Sequence, residues 1–202
     1  STLVHEMGHS IHSYYARKNQ PYIYGDYTLF VAEVASTTNE KLLIHYQIEK
    51  EQDPVKKLYL VNQELEQIRT TVFRQLMFAE FEKITHETIQ QGTPMTGEDF
   101  SSLWMDLNKK YFGDQLIIDQ EIDIEWARIP HFYRDFYVYQ YATGYAAASA
   151  FAEKILAEGA PAVEKYIGFL KTGGSNYPVE TLQVAGVDMT SKEPLEATVR
   201  RF

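Results

Sequence analysis

The chain has 202 residues, of which 45% are hydrophobic and 23% charged, with a formal net charge of −9 and no cysteine. That length suits one domain with its own core, and the spread of hydrophobic positions excludes wholesale disorder and an apolar run long enough to span a membrane. The acidic balance argues against nucleic acid as the main partner, and without thiols any bound metal must be held by nitrogen and oxygen.

Apolar positions recur with helical spacing almost throughout, so the expected fold class is all-α and the expected organisation a single helical domain over 1–202. A first helix is expected over about 2–17, stopping before Asn19, Gln20 and Pro21, and a second from Tyr27 or Thr28 to beyond Glu40. Asp53 before Pro54 supplies an N-cap and a first-turn proline, and the pattern then runs to Gln91 as one long helix or two with a kink. Thr96 with Asp99 three positions on approximates a capping box, opening a helix that stops before Gly113. The following DQLIIDQEIDIEW admits either a short strand or a brief helix from Asp119. A stretch rich in Tyr, Phe and Ala predicts a helix over about 131–158 ended by Gly159, its alanines permitting close approach to neighbours. Two more helices are expected near 161–171 and 191–202, with a short piece around 179–184 between them. The start of the sequence shows neither a basic n-region nor an apolar h-region, which together with the absence of cysteine leads us to expect a cytoplasmic location.

Chemistry concentrates near the amino terminus, where His5-Glu6-Met7-Gly8-His9 forms an H-E-x-x-H pattern. On a helix each residue advances about 100°, so His5 and His9 differ by about 40° and one turn of rise and can turn both rings to one ion. Glu6, about 100° from His5, is displaced to where a carboxylate meets a metal-bound water rather than the metal. The alternative is two histidines one turn apart on an ordinary amphipathic helix.

A catalytic zinc needs a third protein ligand. The metzincin extension requires Gly at 12 and His at 15, and the chain has His12 and Tyr15, so that arrangement is rejected. Glu33, in LFVAEVASTTNE, lies on the next expected helix, which would carry it back past the histidine pair if antiparallel. Glu40 falls two turns further on the same face, either as a partner for an outer imidazole N–H or as a solvated surface glutamate. His12, two turns from His5, suits packing or outer hydrogen bonding better than coordination. Further along, Tyr137, Tyr141 and Tyr145 recur at i, i+4 and i+8, a stripe for which core packing is the ordinary explanation.

The run HEMGHSIHSYYARKNQPYIYGDYTLFVAEVAST closely resembles the metal-binding region of the oligoendopeptidase F group, within the thimet-oligopeptidase family of zinc peptidases, and IPHFYRDFYVYQYATGY resembles that family's later substrate-site segment. The resemblance covers nearly the whole chain. It implies a mostly helical bowl or clam around a deep channel, one zinc per chain held by His5, His9 and Glu33, Glu6 as general base, and short oligopeptides as substrates, with neither nucleic acid nor membrane as partner. It also implies substrate-carbonyl or oxyanion contacts from His131, Tyr141 and Tyr145, although the spacing from His to Tyr departs from that of thimet oligopeptidase. Family members are much longer, with this region as their carboxy-terminal third, so the chain is expected to be a catalytic fragment with little activity alone. Two other readings remain at this stage. One is a peptidyl-dipeptidase anchoring a substrate carboxylate on Arg128 or Arg134; the other is a helical binding module without catalysis.

Overall fold

The computed structural model describes residues 2–202, and among them there are helices and connections but no strand. The all-α expectation therefore holds. Helix α1 runs over Thr2–Asn19 and ends where the Asn19 side chain folds back on the Tyr15 carbonyl, just before Pro21. Thr28, extended at ψ 156°, leads into α2, Leu29–Lys50. Asp53 caps α3, Pro54–Ile68, by accepting the Val55 N–H at 2.9 Å. The chain then continues through one π-helical turn, Arg69–Phe73, into α4, Arg74–Gln90. Between the two alternatives, one long helix or two with a kink, the chain forms two α-helical segments joined by a widened turn that inserts a residue.

Thr96 and Asp99 form the capping box of α5, Gly97–Phe112, which Gly113 ends at φ 70°. The ambiguous segment that follows forms a 3₁₀ helix over Gln120–Arg128 with Asp119 at its N-cap, so of the two alternatives the brief helix forms and the strand does not. A second short 3₁₀ piece covers Pro130–Tyr133. Helix α6, Tyr139–Glu158, starts well after His131, which corrects the expected boundary. Pro130 opens only a 3₁₀ turn, and Phe136 is held at φ 51° with its N–H donated to Glu82 Oε1 at 2.8 Å, a tertiary bond that prevents the helix from starting earlier. Helices α7, Ala160–Thr172, α8, Pro178–Val184, and α9, Glu193–Val199, complete the chain.

The packing divides into two compact units, a partition that periodicity along the chain does not reveal. One contains the residues up to Ile68 together with Thr143–Phe202; the other is Arg69–Ala142. In the first, Val34 and Ala35 of α2, Ala147 and Phe151 of α6, Phe169 of α7 and Leu182 of α8 are buried together. Small residues on α6 remove side-chain thickness and allow this close packing. In the second unit, Met77, Phe78 and Phe81 of α4 pack with Trp104 and Leu107 of α5. The Phe81 and Trp104 rings meet edge to face, with centroids 5.0 Å apart. No described helix is long and apolar enough to cross a membrane.

Candidate metal centre

Helices α1 and α2 form a hairpin whose spacing is set by Gly8. A β-carbon there would overlap Ser36 Cα and lie 2.7 Å from Ser36 N and 2.8 Å from the Ala35 carbonyl. A glycine inside a helix ordinarily costs roughly 0.5–1 kcal/mol relative to alanine. Here it lets the two backbones touch, which places the α2 side chains within reach of the α1 histidines.

Across that contact the Nε2 atoms of His5 and His9 stand 3.2 Å apart, with the rings at 79°. Glu33 Oε2 lies 3.3 Å from His5 Nε2 and 3.6 Å from His9 Nε2. The three residues are half-buried, and among the described residues they form the one cluster with three converging metal-ligating groups, all within 4.8 Å. A tetrahedral ion with donors at about 2.0–2.1 Å would set its ligand atoms roughly 3.3–3.4 Å apart. The observed separations bracket that value, so the donor set fits zinc in both chemistry and spacing.

The second nitrogen of His5 fixes how the first is used. Nδ1 lies 3.3 Å from Glu40 Oε2, and Gln67 Nε2 donates to that same oxygen at 3.1 Å. A carboxylate at Nδ1 favours the tautomer with its proton there, which leaves the Nε2 lone pair directed at Glu33 and His9. Glu33 is itself held, because the buried Ser36 hydroxyl lies 3.0 Å from Glu33 Oε2 as well as from the Glu33 carbonyl. Sequence reasoning reached Glu40 as a candidate but missed Gly8, Ser36 and Gln67. A glycine inside the motif was the available signal for the first; nothing local marked the other two.

Glu6 is exposed on α1. His12 is buried, with its ring stacked on Tyr27 at a centroid distance of 3.6 Å and an interplanar angle of 2°. Burial, with a smaller contribution from nearby His9, lowers its pKa from 6.5 to about 4. A neutral, stacked imidazole is a packing group, and His12 is absent from the donor cluster.

The residues expected on the substrate side separate. In the second unit His131 Nε2 lies 3.4 Å from the Tyr141 hydroxyl, and Tyr137 packs against both rings. Tyr137 precedes α6, so the three-tyrosine stripe does not form on one helix. In the first unit Tyr145 is 1% exposed, and its hydroxyl has no hydrogen-bond partner among the described residues. Burial, reinforced by Glu64 and Glu40, raises its pKa. Its neighbour Gly144 faces Glu33, and a β-carbon at Gly144 would sit 3.5 Å from Glu33 Cβ. Arg128 is paired with Glu125, which also accepts from Arg74.

The chain is thus a helical fold that brings an H-E-x-x-H pair and a downstream glutamate into one three-donor cluster. The chain belongs to peptidase family M3, whose model matches residues 1–201. Over 201 residues it is 60% identical to Oligopeptidase PepF of Bacillus subtilis, a match covering 100% of this chain and 30% of that protein. The chromosomal Oligoendopeptidase F of Lactococcus lactis subsp. cremoris is 48% identical over 100% of this chain and 33% of its own length. The crystal structure of oligoendopeptidase-F from Enterococcus faecium matches with a TM-score of 0.88 and 48% identity, over 99% of this chain and 36% of that one. The chain thus spans about a third of the length of these relatives.

Proposed function

We propose that the chain is the metal-binding catalytic portion of a zinc-dependent endopeptidase that hydrolyses short oligopeptides in the cytoplasm. The observation that carries this reading is the convergence of His5, His9 and Glu33 at separations that fit a tetrahedral ion. Those three residues would hold one zinc, which supplies Lewis-acid polarisation of the scissile carbonyl and lowers the pKa of bound water to about 7.

The remaining work falls to the chain's own groups. Glu6 accepts the proton of the attacking water and passes it to the departing amine. Glu40, supported by Gln67, keeps the His5 ring turned so that Nε2 is free, and Ser36 restrains the Glu33 carboxylate. Tyr141 and His131 are assigned hydrogen bonds to a substrate carbonyl or to the developing oxyanion, on the strength of the resemblance and of their mutual contact. Tyr145 is left out of that set, since its hydroxyl is enclosed. Arg128 already carries an internal carboxylate, which argues against its anchoring a substrate terminus and leaves that role, in the peptidyl-dipeptidase reading, to Arg134.

The test combines metal analysis of the purified 202-residue chain with its Glu33→Ala variant. Near-stoichiometric zinc in the parent and little in the variant supports the reading; no zinc in either assigns the fold to a binding module. Turnover of a quenched fluorescent peptide, measured on a chain of the relatives' length and on the 202-residue chain, then separates metal binding from catalysis. Loss of substrate positioning in the shorter chain should lower kcat/KM at least about a hundredfold.

A further inference from the structure

The first unit contains a second chemically distinctive place, a cavity of about 470 Å³ whose lining includes Lys41 and His45 of α2, Glu64 of α3, Ser149 and Leu156 of α6, and Arg201. Most of its charge is already matched. Arg201 makes a fork to Glu64, with Nε to Oε1 and Nη2 to Oε2 both at 3.0 Å. Arg200 donates to both oxygens of Glu153 at 3.0 Å. One cation is left over. Lys41 is 6% exposed, makes no hydrogen bond or ion pair among the described residues, and rests its Nζ 3.5 Å above the centre of the Tyr145 ring.

An ammonium carries three donors, and burying it without an acceptor is costly. An aromatic face repays part of that cost through its quadrupole but accepts no conventional hydrogen bond. We propose that this cavity is a ligand site, separate from the metal cluster, in which Lys41 binds the carboxylate of a small aliphatic acid. A single unpaired amine suits a monoanion better than a phosphate dianion. The apolar wall formed by Ala152, Leu156 and Ala157 provides contact for a short hydrocarbon body, and the volume exceeds what a lone chloride needs. Burial also lowers the Lys41 pKa to about 7, and the nearby carboxylates of Glu64 and Glu40 oppose that shift only in part.

Butyrate is a suitable probe, with butyramide as its neutral counterpart and chloride and inorganic phosphate as other anions. Calorimetric titration is done on the 202-residue chain with EDTA present, so that binding to a metal cannot contribute and the outcome is independent of the peptidase reading. Saturable butyrate binding is expected, with butyramide weaker by at least about tenfold, the scale of a hydrogen bond to a charged group. The Lys41→Met variant, which keeps the stem and removes the charge, should lose binding to the same extent.

Protection provides a second measurement that needs no variant. Reductive methylation of the unaltered chain, read by peptide mass spectrometry, should modify Lys41 more slowly with butyrate than with butyramide. Butyrate binding unchanged in Lys41→Met, absence of saturable binding together with absence of protection, or equal or tighter binding of chloride or phosphate would each overturn the proposal.

Discussion

Gly8 of α1 and Ser36 of α2 touch backbone to backbone, so closely that the position of a β-carbon on Gly8 is already occupied. Ordinarily alanine in place of a helical glycine stabilises, by up to about 1 kcal/mol. Here the sign reverses. Gly8→Ala must push α1 from α2, and overpacking of this kind costs about 1–3 kcal/mol. Because His5 and His9 move away from Glu33 in the same displacement, zinc affinity should fall along with the melting temperature. A variant with unchanged Tm and unchanged zinc affinity would show that the hairpin tolerates separation.

Glu6→Gln should retain zinc while losing most peptidase activity in a chain of the relatives' length, because the three donors remain and only the proton acceptor is gone. His9→Ala should lose both, since two donors hold zinc poorly. The measurements are metal content and kcat/KM for each variant. Full activity in Glu6→Gln removes that residue from the mechanism.

Glu40→Gln tests the partner at His5 Nδ1. An amide can present its oxygen to the imidazole, but it lacks the charge that favours the required tautomer, and loss of such partners typically lowers metal affinity about 10–100-fold. Gln67→Ala, which removes the donor to Glu40 at 3.1 Å, should act in the same direction and more weakly. Competition with a chelating dye gives both affinities. Equal affinities in the parent and both variants would show that Glu40 and Gln67 have no bearing on the metal.

His12 predicts a specific acid sensitivity. Its pKa is about 4 in the folded chain against 6.5 as the ordinary value. Above pH 6.5 the ring is neutral in both states and contributes no pH dependence. As pH falls from 6.5 towards 4 the unfolded chain takes up a proton that the folded chain refuses, and stability declines by on the order of 3 kcal/mol over that window. His12→Phe keeps an aromatic ring to stack on Tyr27 and removes the titration. Urea unfolding at pH 7 and at pH 4.5 should show a smaller loss in the variant; identical losses would refute the assignment.

The donor cluster could be read from sequence because its chemistry repeats over one helical turn and its third member lies on the adjacent helix. Caps were legible for the same local reason: Asp53 and the pair Thr96 and Asp99 act on backbone groups two or three residues away. The start of α6 was not legible, because the Phe136 N–H is taken by Glu82, a residue 54 positions earlier. Tyr145 and Lys41 illustrate the same limit. The resemblance implied a substrate contact for Tyr145 and nothing local marked Lys41, whereas packing between distant segments buries both.

The hairpin of α1 and α2 also bears on the order in which parts of the molecule can form. His5 and its partner Glu40 are 35 residues apart, whereas Glu64 and Arg201, which help to line the cavity at Lys41, are 137 apart. Closing the longer loop costs only about 1 kcal/mol more in chain entropy, but on a growing polypeptide the difference is one of availability. Every donor of the metal cluster has been synthesised once α2 is complete at Lys50, so an ion can join the first two helices while Arg201 is still to be made. The metal centre is thus a local structure that a nascent chain can assemble before the Lys41 cavity, which waits for Arg201.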